Sequence, residues 1–83
     1  MISLTIHLFA AYREAVGSRQ ITLQVQPEAT VADVWRALQA QYPGLRTPRP
    51  AAAVNEDYAA LDTVVHDGDH VAFLPPVSGG CMR

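Results

Sequence analysis

The amino-acid sequence predicts an α+β domain in which a mixed sheet of four to five strands packs on one main helix. Residues 2–8 and 20–26 alternate strictly between apolar and polar side chains, which predicts two strands with one buried face each. Over residues 31–41 the apolar side chains instead recur every three to four positions, which predicts a helix with one buried face. A chain of 83 residues has room for one such domain.

The first two strands are expected to form an antiparallel hairpin, because only a helical turn and a loop over residues 9–19 separate them. Thr30 is the expected N-cap of the helix, with Asp33 in the capping-box position three residues later. Pro43-Gly44 ends the helix. The predicted core lies between the inner face of the sheet and one face of this helix, at Val34, Trp35 and Leu38.

The second half of the chain predicts shorter elements. Residues 46–50 are expected to form a loop, and residues 51–55 a strand. Residues 58–61 are expected to form a short extended piece, and residues 66–70 a turn. Residues 70–74 predict a last strand with Val71 and Phe73 on one face. Pro75-Pro76 cannot continue a strand ladder, so we divide the chain into a domain over residues 1–74 and an extended C-terminal tail over residues 75–83.

Composition and charge exclude several functions. All six basic residues are arginines, scattered along a chain of net charge −2, so neither nucleic acid nor an anionic membrane is an expected partner. No apolar run approaches the roughly 18 residues that a membrane helix needs, and no signal-peptide pattern is visible. The single cysteine, Cys81, excludes an internal disulfide and a cysteine-cluster metal site. We therefore expect a cytoplasmic protein.

Few side chains in the domain suggest chemistry. No Gly-rich phosphate loop follows a strand, and no spacing indicates a nucleophile with its base, so this chain is expected to bind no cofactor and no metal. The cluster of possible metal ligands at residues 66–70 is interpreted as a solvated turn, and His7 as an exposed strand residue. Its members are His66, Asp67, Asp69 and His70.

The tail carries the most specific pattern. Pro75-Pro76 directs the chain away from the domain, and Gly79-Gly80 lacks Cβ atoms, so its backbone fits a narrow channel in another protein. With this tail, the sequence resembles the small subunit of molybdopterin synthase, among the MoaD/ThiS-type sulfur carriers of ubiquitin-like β-grasp fold. The resemblance covers residues 2–80, and its segments are Leu8-Phe9-Ala10, Arg13-Glu14-Ala15-Val16-Gly17, Thr30-Val31-Ala32-Asp33-Val34, Ala53-Val54-Asn55 and residues 67–80.

The resemblance implies a carrier or non-catalytic subunit of a sulfurtransferase. In such families an E1-like adenylyltransferase uses ATP and Mg²⁺ to activate the C-terminal glycine carboxylate, here that of Gly80. Sulfur from a cysteine desulfurase or rhodanese-type donor then displaces AMP and leaves a thiocarboxylate. The molybdopterin synthase large subunit, or another acceptor enzyme, receives the sulfur. Shorter thiamine-pathway carriers also end in Gly-Gly but typically lack the Phe-x-Pro-Pro-Val approach.

The same resemblance assigns roles to the residues around the tail. Gly80 carries the adenylate and then the sulfur, and Gly79 supplies the thin backbone. Phe73 is expected to contribute to the docking face for partners. The remaining tail residues set the reach and thread the partner's channel, and they are Pro75, Pro76, Val77 and Ser78.

Cys81-Met82-Arg83 follows Gly80, which departs from the family pattern and places the free carboxylate up to about 10 Å away. Three explanations remain open: cleavage after Gly80 by a JAMM-type metalloprotease, an N-to-S acyl shift at Cys81, or a benign extension. Two alternative functions also remain open. One is a ubiquitin-like modifier conjugated through Gly80, which suits a chain without lysine; the other is a passive β-grasp binding module.

Overall fold

The computed structural model describes residues 1–47 and 49–74. Five strands and two helices lie in this part of the chain: β1 (Ile2–Leu8), α1 (Ala11–Val16), β2 (Gln20–Val25), α2 (Val31–Gln41), β3 (Ala51–Val54), β4 (Asp57–Ala59) and β5 (His70–Leu74). They form one sheet in the order β2-β1-β5-β3-β4. Strand β5 runs parallel to β1 and the other neighbours are antiparallel. The predicted α+β fold with a mixed sheet and one main helix is confirmed.

Most predicted boundaries agree with the structure, and the largest shift is at β4. This strand begins at Asp57, whereas the sequence pattern placed it at residues 58–61. Asn55 and Glu56 have φ angles of 51° and 75°, so a two-residue turn closes the hairpin and sets Val54 directly opposite Asp57. The sequence predicts a turn over residues 55–57, but two-residue hairpin turns normally have glycine at the second position, so the start of β4 at Asp57 was not predicted.

The beginning of α2 follows the capping-box prediction. The backbone N–H of Asp33 donates to the Thr30 hydroxyl, and the backbone N–H of Thr30 donates to the Asp33 carboxylate at 3.0 Å. These two bonds satisfy backbone donors that the first helical turn leaves without partners. The helix is therefore fixed at its first residue and presents Val34, Trp35 and Leu38 to the sheet.

The core lies between α2 and the inner face of the sheet, as predicted. The alternating residues of β1 and β5 and the apolar stripe of α2 are almost fully buried in it. Four further core residues come from outside the predicted set, namely Tyr12, Ala29, Leu45 and Val65. They lie in α1 and in loops, where neither a period of two nor a period of 3.6 identifies a buried position.

No helix in residues 1–47 and 49–74 is long and apolar enough to span a membrane.

Candidate functional site

Strand β5, the last described element of the chain, lies in the interior of the sheet. Strand β5 lies between β1 and β3, so both of its edges are hydrogen-bonded. Near its end, Phe73 pairs with Leu8 on one side, and Leu74 pairs with Ala51 on the other. Leu74, the last described residue, is therefore held at a fixed point of the sheet.

Phe73 was expected to contribute to the docking face for partners, but the structure places its side chain in the core. Its side chain is 0% exposed, and its ring centroid lies 4.8 Å from that of Trp35. The alternation of a strand explains the error, because Val71 and Phe73 face the helix while Ala72 and Leu74 face outward. Phe73 thus anchors the strand from which the tail begins, and a partner can contact only its neighbours on the outer face.

The expected tail residues lie outside the described part of the chain. They are Pro75, Pro76, Val77, Ser78, Gly79, Gly80 and Cys81. Their roles in threading, sulfur transfer and processing stay predictions. Chain length alone allows the carbonyl carbon of Gly80 to lie at most about 20 Å from Leu74, six residues earlier.

The outer face of the sheet presents a row of side chains that crosses four strands. His7 of β1 lies opposite Ala72 of β5, which lies opposite Ala53 of β3, which lies opposite Tyr58 of β4. Tyr58 is 87% exposed, and Phe9, just beyond β1, is 47% exposed. The two alanines at the centre of the row have small side chains, and the rings of His7, Phe9 and Tyr58 rise on either side of them. This shallow depression with exposed rings at its edges could accommodate a surface of another protein.

His7 and His70 form a pair on this face. Nε2 of His7 and Nδ1 of His70 are 3.0 Å apart, with ring centroids at 5.2 Å and ring planes inclined by 17°. Both side chains line a shallow cavity of about 470 Å³ together with Phe9, Glu56 and Ala72. His7 is thus half-buried and hydrogen-bonded, rather than the exposed strand residue expected from the sequence.

Asn55 fixes the backbone of His70. Its backbone N–H donates to the carbonyl of His70 at 2.8 Å, and its side-chain oxygen accepts from the N–H of His70 at 3.0 Å. Its amide group also donates to the carboxylate of Asp69 at 3.0 Å. The sequence places Asn55 at the end of the third strand and the start of a turn, and gives it no role at the site. The available signal was an asparagine at a turn position, which favours local hydrogen bonding but does not indicate its distant partner.

The acidic turn before β5 has a structural role. The carboxylate of Asp67 accepts from the N–H of Ser3 at 2.7 Å, and that of Asp69 accepts from the N–H of His66 at 2.8 Å. Partial burial raises the pKa of Asp69, but hydrogen bonds from Asn55 and His66 outweigh it and leave the pKa below its ordinary value. Among residues 1–47 and 49–74, no three His, Cys, Asp or Glu side chains are grouped to hold a metal ion.

Comparison with known proteins places this arrangement in a family. The profile of the ThiS family matches residues 6–80. The chain belongs to the ThiS family. Its matched region contains the whole sheet from the middle of β1 onward and ends at the second glycine of Gly79-Gly80. The resemblance inferred from the tail and the strand motifs is thereby confirmed.

Relatives of this ThiS-family chain carry two kinds of name. The molybdopterin synthase sulfur carrier subunit of Mycobacterium tuberculosis is 41% identical, over 96% of this chain and 100% of the relative. Small archaeal modifier protein 3 of Haloferax volcanii is 37% identical, over 95% and 100%. The crystal structure of small archaeal modifier protein 1 from Haloferax volcanii superposes with a TM-score of 0.83 at 30% identity, covering 93% and 100%. The ThiS-family chain thus has the ubiquitin-like β-grasp fold.

Proposed function

We propose that this ThiS-family chain is a sulfur carrier that receives sulfur as a thiocarboxylate on Gly80 and donates it in molybdopterin biosynthesis or a related sulfur-transfer pathway. The observation that carries the proposal is the extent of the family match, which ends at Gly80 although Cys81 follows in the sequence. The sulfur carrier subunit of Mycobacterium tuberculosis supports the molybdopterin pathway as the first choice.

The described residues support the proposal because the strand that precedes the tail in the sequence is held inside the sheet. A carrier must present one carboxyl group inside a partner's active site while its own fold stays intact. Strand β5 pairs with β1 as far as Phe73 and with β3 as far as Leu74, and the side chain of Phe73 is buried in the core. A force applied to the residues that follow Leu74 therefore acts on the central strand of the sheet, which is paired on both sides.

The chemistry requires activation, sulfur transfer and reduction at Gly80. Its carboxylate attacks the α-phosphorus of ATP in an E1-like adenylyltransferase, with Mg²⁺ bound to the phosphates, and pyrophosphate leaves. The terminal sulfur of a persulfide on a cysteine desulfurase or rhodanese-type donor then attacks the acyl carbon, and AMP leaves with one carboxyl oxygen. A thiol reduces the resulting acyl disulfide, which leaves the thiocarboxylate on Gly80 and a disulfide between that thiol and the donor cysteine. The acceptor, a molybdopterin synthase large subunit or a related enzyme, takes the sulfur, and water supplies the oxygen that regenerates the carboxylate.

A carboxylate on Gly80 requires cleavage of the Gly80–Cys81 peptide bond. We propose that a JAMM-type metalloprotease hydrolyses this bond in the cytoplasm before activation. The test is the intact mass of the protein purified from its own cells, with fragmentation of the C-terminus. The expected species ends at Gly80 and has one oxygen replaced by sulfur.

A Cys81→Ser variant is the matched control for the cleavage route. Proteolysis leaves its sulfur loading unchanged, whereas an N-to-S acyl shift at Cys81 loses it. A wild-type chain that continues past Gly80 in cells that are making the sulfur product contradicts the proposal.

Protein conjugation through Gly80 is the second candidate function. It is favoured by the relatives named small archaeal modifier proteins 1 and 3, at 35% and 37% identity. The absence of lysine also suits a donor, because the chain offers no side-chain amine for attachment to itself. Immunoblots of cell extracts distinguish the two functions: conjugation gives a series of high-mass adducts that disappears in a Gly80-deletion variant, and a dedicated sulfur carrier gives one free species.

A further inference from the structure

We propose that two copies of this chain associate through strand β2, in an antiparallel pairing of the two strands that is centred on Leu23. Strand β2 lies at one end of the sheet, and β1 is its only partner among the strands of residues 1–47 and 49–74. The pairing joins the two sheets into one. It goes beyond the carrier function, because the described domain supplies the contact and the tail takes no part in it.

The hydrogen bonds between β1 and β2 show which backbone groups of β2 face outward. In an antiparallel pair, opposite residues alternate between those that exchange N–H···O bonds and those that do not. The N–H of Leu8 donates to the carbonyl of Arg19 at 2.9 Å, where β2 is about to begin. The residues of β2 that bond to β1 therefore follow Arg19 in steps of two, and they are Ile21, Leu23 and Val25. The N–H and carbonyl groups of Thr22 and Gln24 point away from the sheet.

This edge lacks the features that normally keep a sheet edge from pairing. Residues 20–26 contain no charged residue, no proline and no glycine. The β1–β2 register is continuous along the whole of β2, so no bulge twists the edge away. At the opposite edge of the sheet, β4 is only three residues long and begins with the charged Asp57. The edge of β2 is therefore the one to which a further strand can be added.

The order of side chains along this edge identifies a second copy as the occupant. A two-fold contact needs a surface that is complementary to itself. On both sides of Leu23 the segment has first a polar residue, then a β-branched apolar residue and then glutamine. The matching pairs are Thr22 with Gln24, Ile21 with Val25, and Gln20 with Gln26. Antiparallel pairing centred on Leu23 therefore sets residues of the same kind opposite each other along the whole segment.

The backbone groups agree with this centre. Hydrogen bonds between the copies need outward-facing groups on both strands. Pairing centred on Leu23 sets Thr22 of one copy opposite Gln24 of the other, and about four N–H···O bonds form in the two such pairs. A shift by one residue sets Thr22 opposite Leu23, whose groups already bond to β1. The carbonyl of Gln26 accepts from the N–H of Ala29 in its own chain, so the Thr22–Gln24 pairs provide the main contact.

The joined sheets keep core and solvent apart. Along β2 the polar side chains are exposed, and the apolar ones face the core. The two-fold axis of an antiparallel strand pair is perpendicular to the sheet, so α2 of both copies lies on the same face. The two Leu23 side chains then lie side by side on the helix-covered face, and the exposed polar side chains form one continuous row on the other face.

The charges at the two ends of β2 do not oppose the pairing. Arg19 at one end comes close to the other end of the second copy, where Glu28 and Asp33 line a groove. Glu14 lines a cavity with Arg13 and Arg19 and partly offsets their charge. Like charges therefore do not meet at either end. Since one strand pair buries a small area, the dimer is expected to be weak and to depend on concentration.

Sedimentation equilibrium of the full chain tests the oligomeric state. A reducing agent is present, so that Cys81 cannot link two copies through a disulfide. The concentration is raised from about 10 µM to about 1 mM, a range that covers the weak affinities of small interfaces. The mass is expected to rise from 9.0 kDa toward twice that value. A mass of 9.0 kDa at every concentration overturns the proposal.

Two double variants test the register. In Thr22→Lys, Gln24→Lys, like charges lie opposite each other, and association is expected to weaken by roughly tenfold or more. In Thr22→Lys, Gln24→Glu, opposite charges face each other, and association is expected to return to within about threefold of the wild type. Both positions are exposed, so neither variant alters the core.

Tyr58→Lys adds a charge at the other edge of the sheet and is the control, expected to associate as the wild type does. The proposal is overturned if Thr22→Lys, Gln24→Lys associates as tightly as the wild type. It is also overturned if Thr22→Lys, Gln24→Glu stays monomeric, because a register centred on Thr22 or on Gln24 sets like charges opposite each other in that variant.

Amide hydrogen exchange of the ¹⁵N-labelled chain identifies the paired edge. The N–H groups of Thr22 and Gln24 are expected to exchange several-fold more slowly at high protein concentration than at low concentration. Those of Ile21 and Leu23 already bond to β1 and are expected to change less. Slow exchange at Thr22 and Gln24 at every concentration shows that a segment of the same chain covers the edge, and it overturns the proposal.

Discussion

Ala10 has the most unusual backbone conformation among the described residues with a Cβ atom. Its φ of 55° and ψ of −130° belong to a region that glycine occupies readily and other residues rarely do. Ala10 joins the exposed Phe9 to α1, and its carbonyl accepts from the N–H of Arg13 at 3.1 Å. Ala10 therefore adopts a strained conformation at the point where the chain passes from Phe9 into α1. Phe9 lies at the end of β1, next to the histidine pair.

An Ala10→Gly variant is expected to raise the free energy of unfolding by roughly 0.5–1.5 kcal/mol. Relief of the strain outweighs the greater freedom of glycine in the unfolded chain. Urea unfolding followed by Trp35 fluorescence measures the change. Ala40→Gly in α2 is the control, and it is expected to lose about 0.5–1 kcal/mol, as glycine does inside a helix. A loss at both positions contradicts the assignment of strain.

Tyr12 has a second unusual feature, a buried hydroxyl with no hydrogen-bond partner among the described residues. Its ring packs on Trp35 with centroids 5.0 Å apart, so the ring itself belongs to the core. Tyr12→Phe removes only the hydroxyl and is expected to leave the free energy of unfolding unchanged or to raise it by up to about 1 kcal/mol. Urea unfolding tests this, with Tyr12→Ala as the control that also loses the ring. A clear loss in Tyr12→Phe shows that the hydroxyl has a partner.

At the scale of elements, two aspartates fix the beginnings of α2 and β5. Asp33 closes the capping box, and Asp69 holds the turn that leads into β5. Hydrogen bonds from the N–H and the hydroxyl of Thr30 lower the pKa of Asp33, and the charge of Arg36 lowers it further. Hydrogen bonds from Asn55 and His66 lower the pKa of Asp69 despite its partial burial. Both elements therefore depend on ionised carboxylates.

Stability is expected to fall in acid because of these two groups. Their pKa values in the folded chain lie below the ordinary value of 3.8, so the unfolded chain takes up protons at a higher pH than the folded chain. The stabilisation is complete well above pH 3.8 and is lost as the pH falls through the lowered values. Urea unfolding from neutral to acid pH measures this. The double variant Asp33→Asn, Asp69→Asn is expected to show a shallower slope, and a slope equal to that of the wild type contradicts the assignment.

Thr30→Ala tests the capping box itself. Loss of the hydroxyl acceptor for the N–H of Asp33 is expected to lower the free energy of unfolding by about 1 kcal/mol. Thr30→Ser keeps the acceptor and is the matched control, with a change below about 0.5 kcal/mol. Equal losses in the two variants indicate that the methyl group, rather than the cap, is responsible.

Local signals explain why some elements could be predicted. The capping residues, apolar period and Pro43-Gly44 stop of α2 all lie within the helix or beside it, and the predicted bounds agree with the structure. The same holds for β1 and β5. The His7–His70 pair depends instead on the parallel pairing of strands 63 residues apart, which no local pattern specifies. The tail motif indicated the family and not the fold, because its prolines and glycines have no helix or strand period.

At the scale of the molecule, β5 joins two otherwise separate hairpins. Strands β1 and β2 form one, β3 and β4 form the other, and β5 pairs with both. Phe73 links this central strand to α2 through Trp35. A domain of this length is expected to have a total stability of only about 4–12 kcal/mol, so its central contacts carry a large share.

Phe73→Ala is expected to lower the free energy of unfolding by about 3–5 kcal/mol, because it leaves a cavity at the centre of the core. Tyr58→Ala, at an exposed position on the edge strand, is expected to change it by less than about 1 kcal/mol. Urea unfolding gives both values. If Phe73→Ala weakens partner binding while stability is unchanged, Phe73 is a docking residue after all.

The central position of the last strand also links synthesis to activity. A ribosome completes both hairpins before it makes β5, so a polypeptide truncated before His70 has two unconnected hairpins with exposed edges. Such a fragment is open to proteases and lacks Gly80 as well. Only a polypeptide that has been translated through β5 can close the sheet, and Gly80, the residue proposed to carry sulfur, follows Leu74 by six positions in the sequence. The fold therefore helps to ensure that the molecules that survive in the cell also contain the residue proposed to carry sulfur.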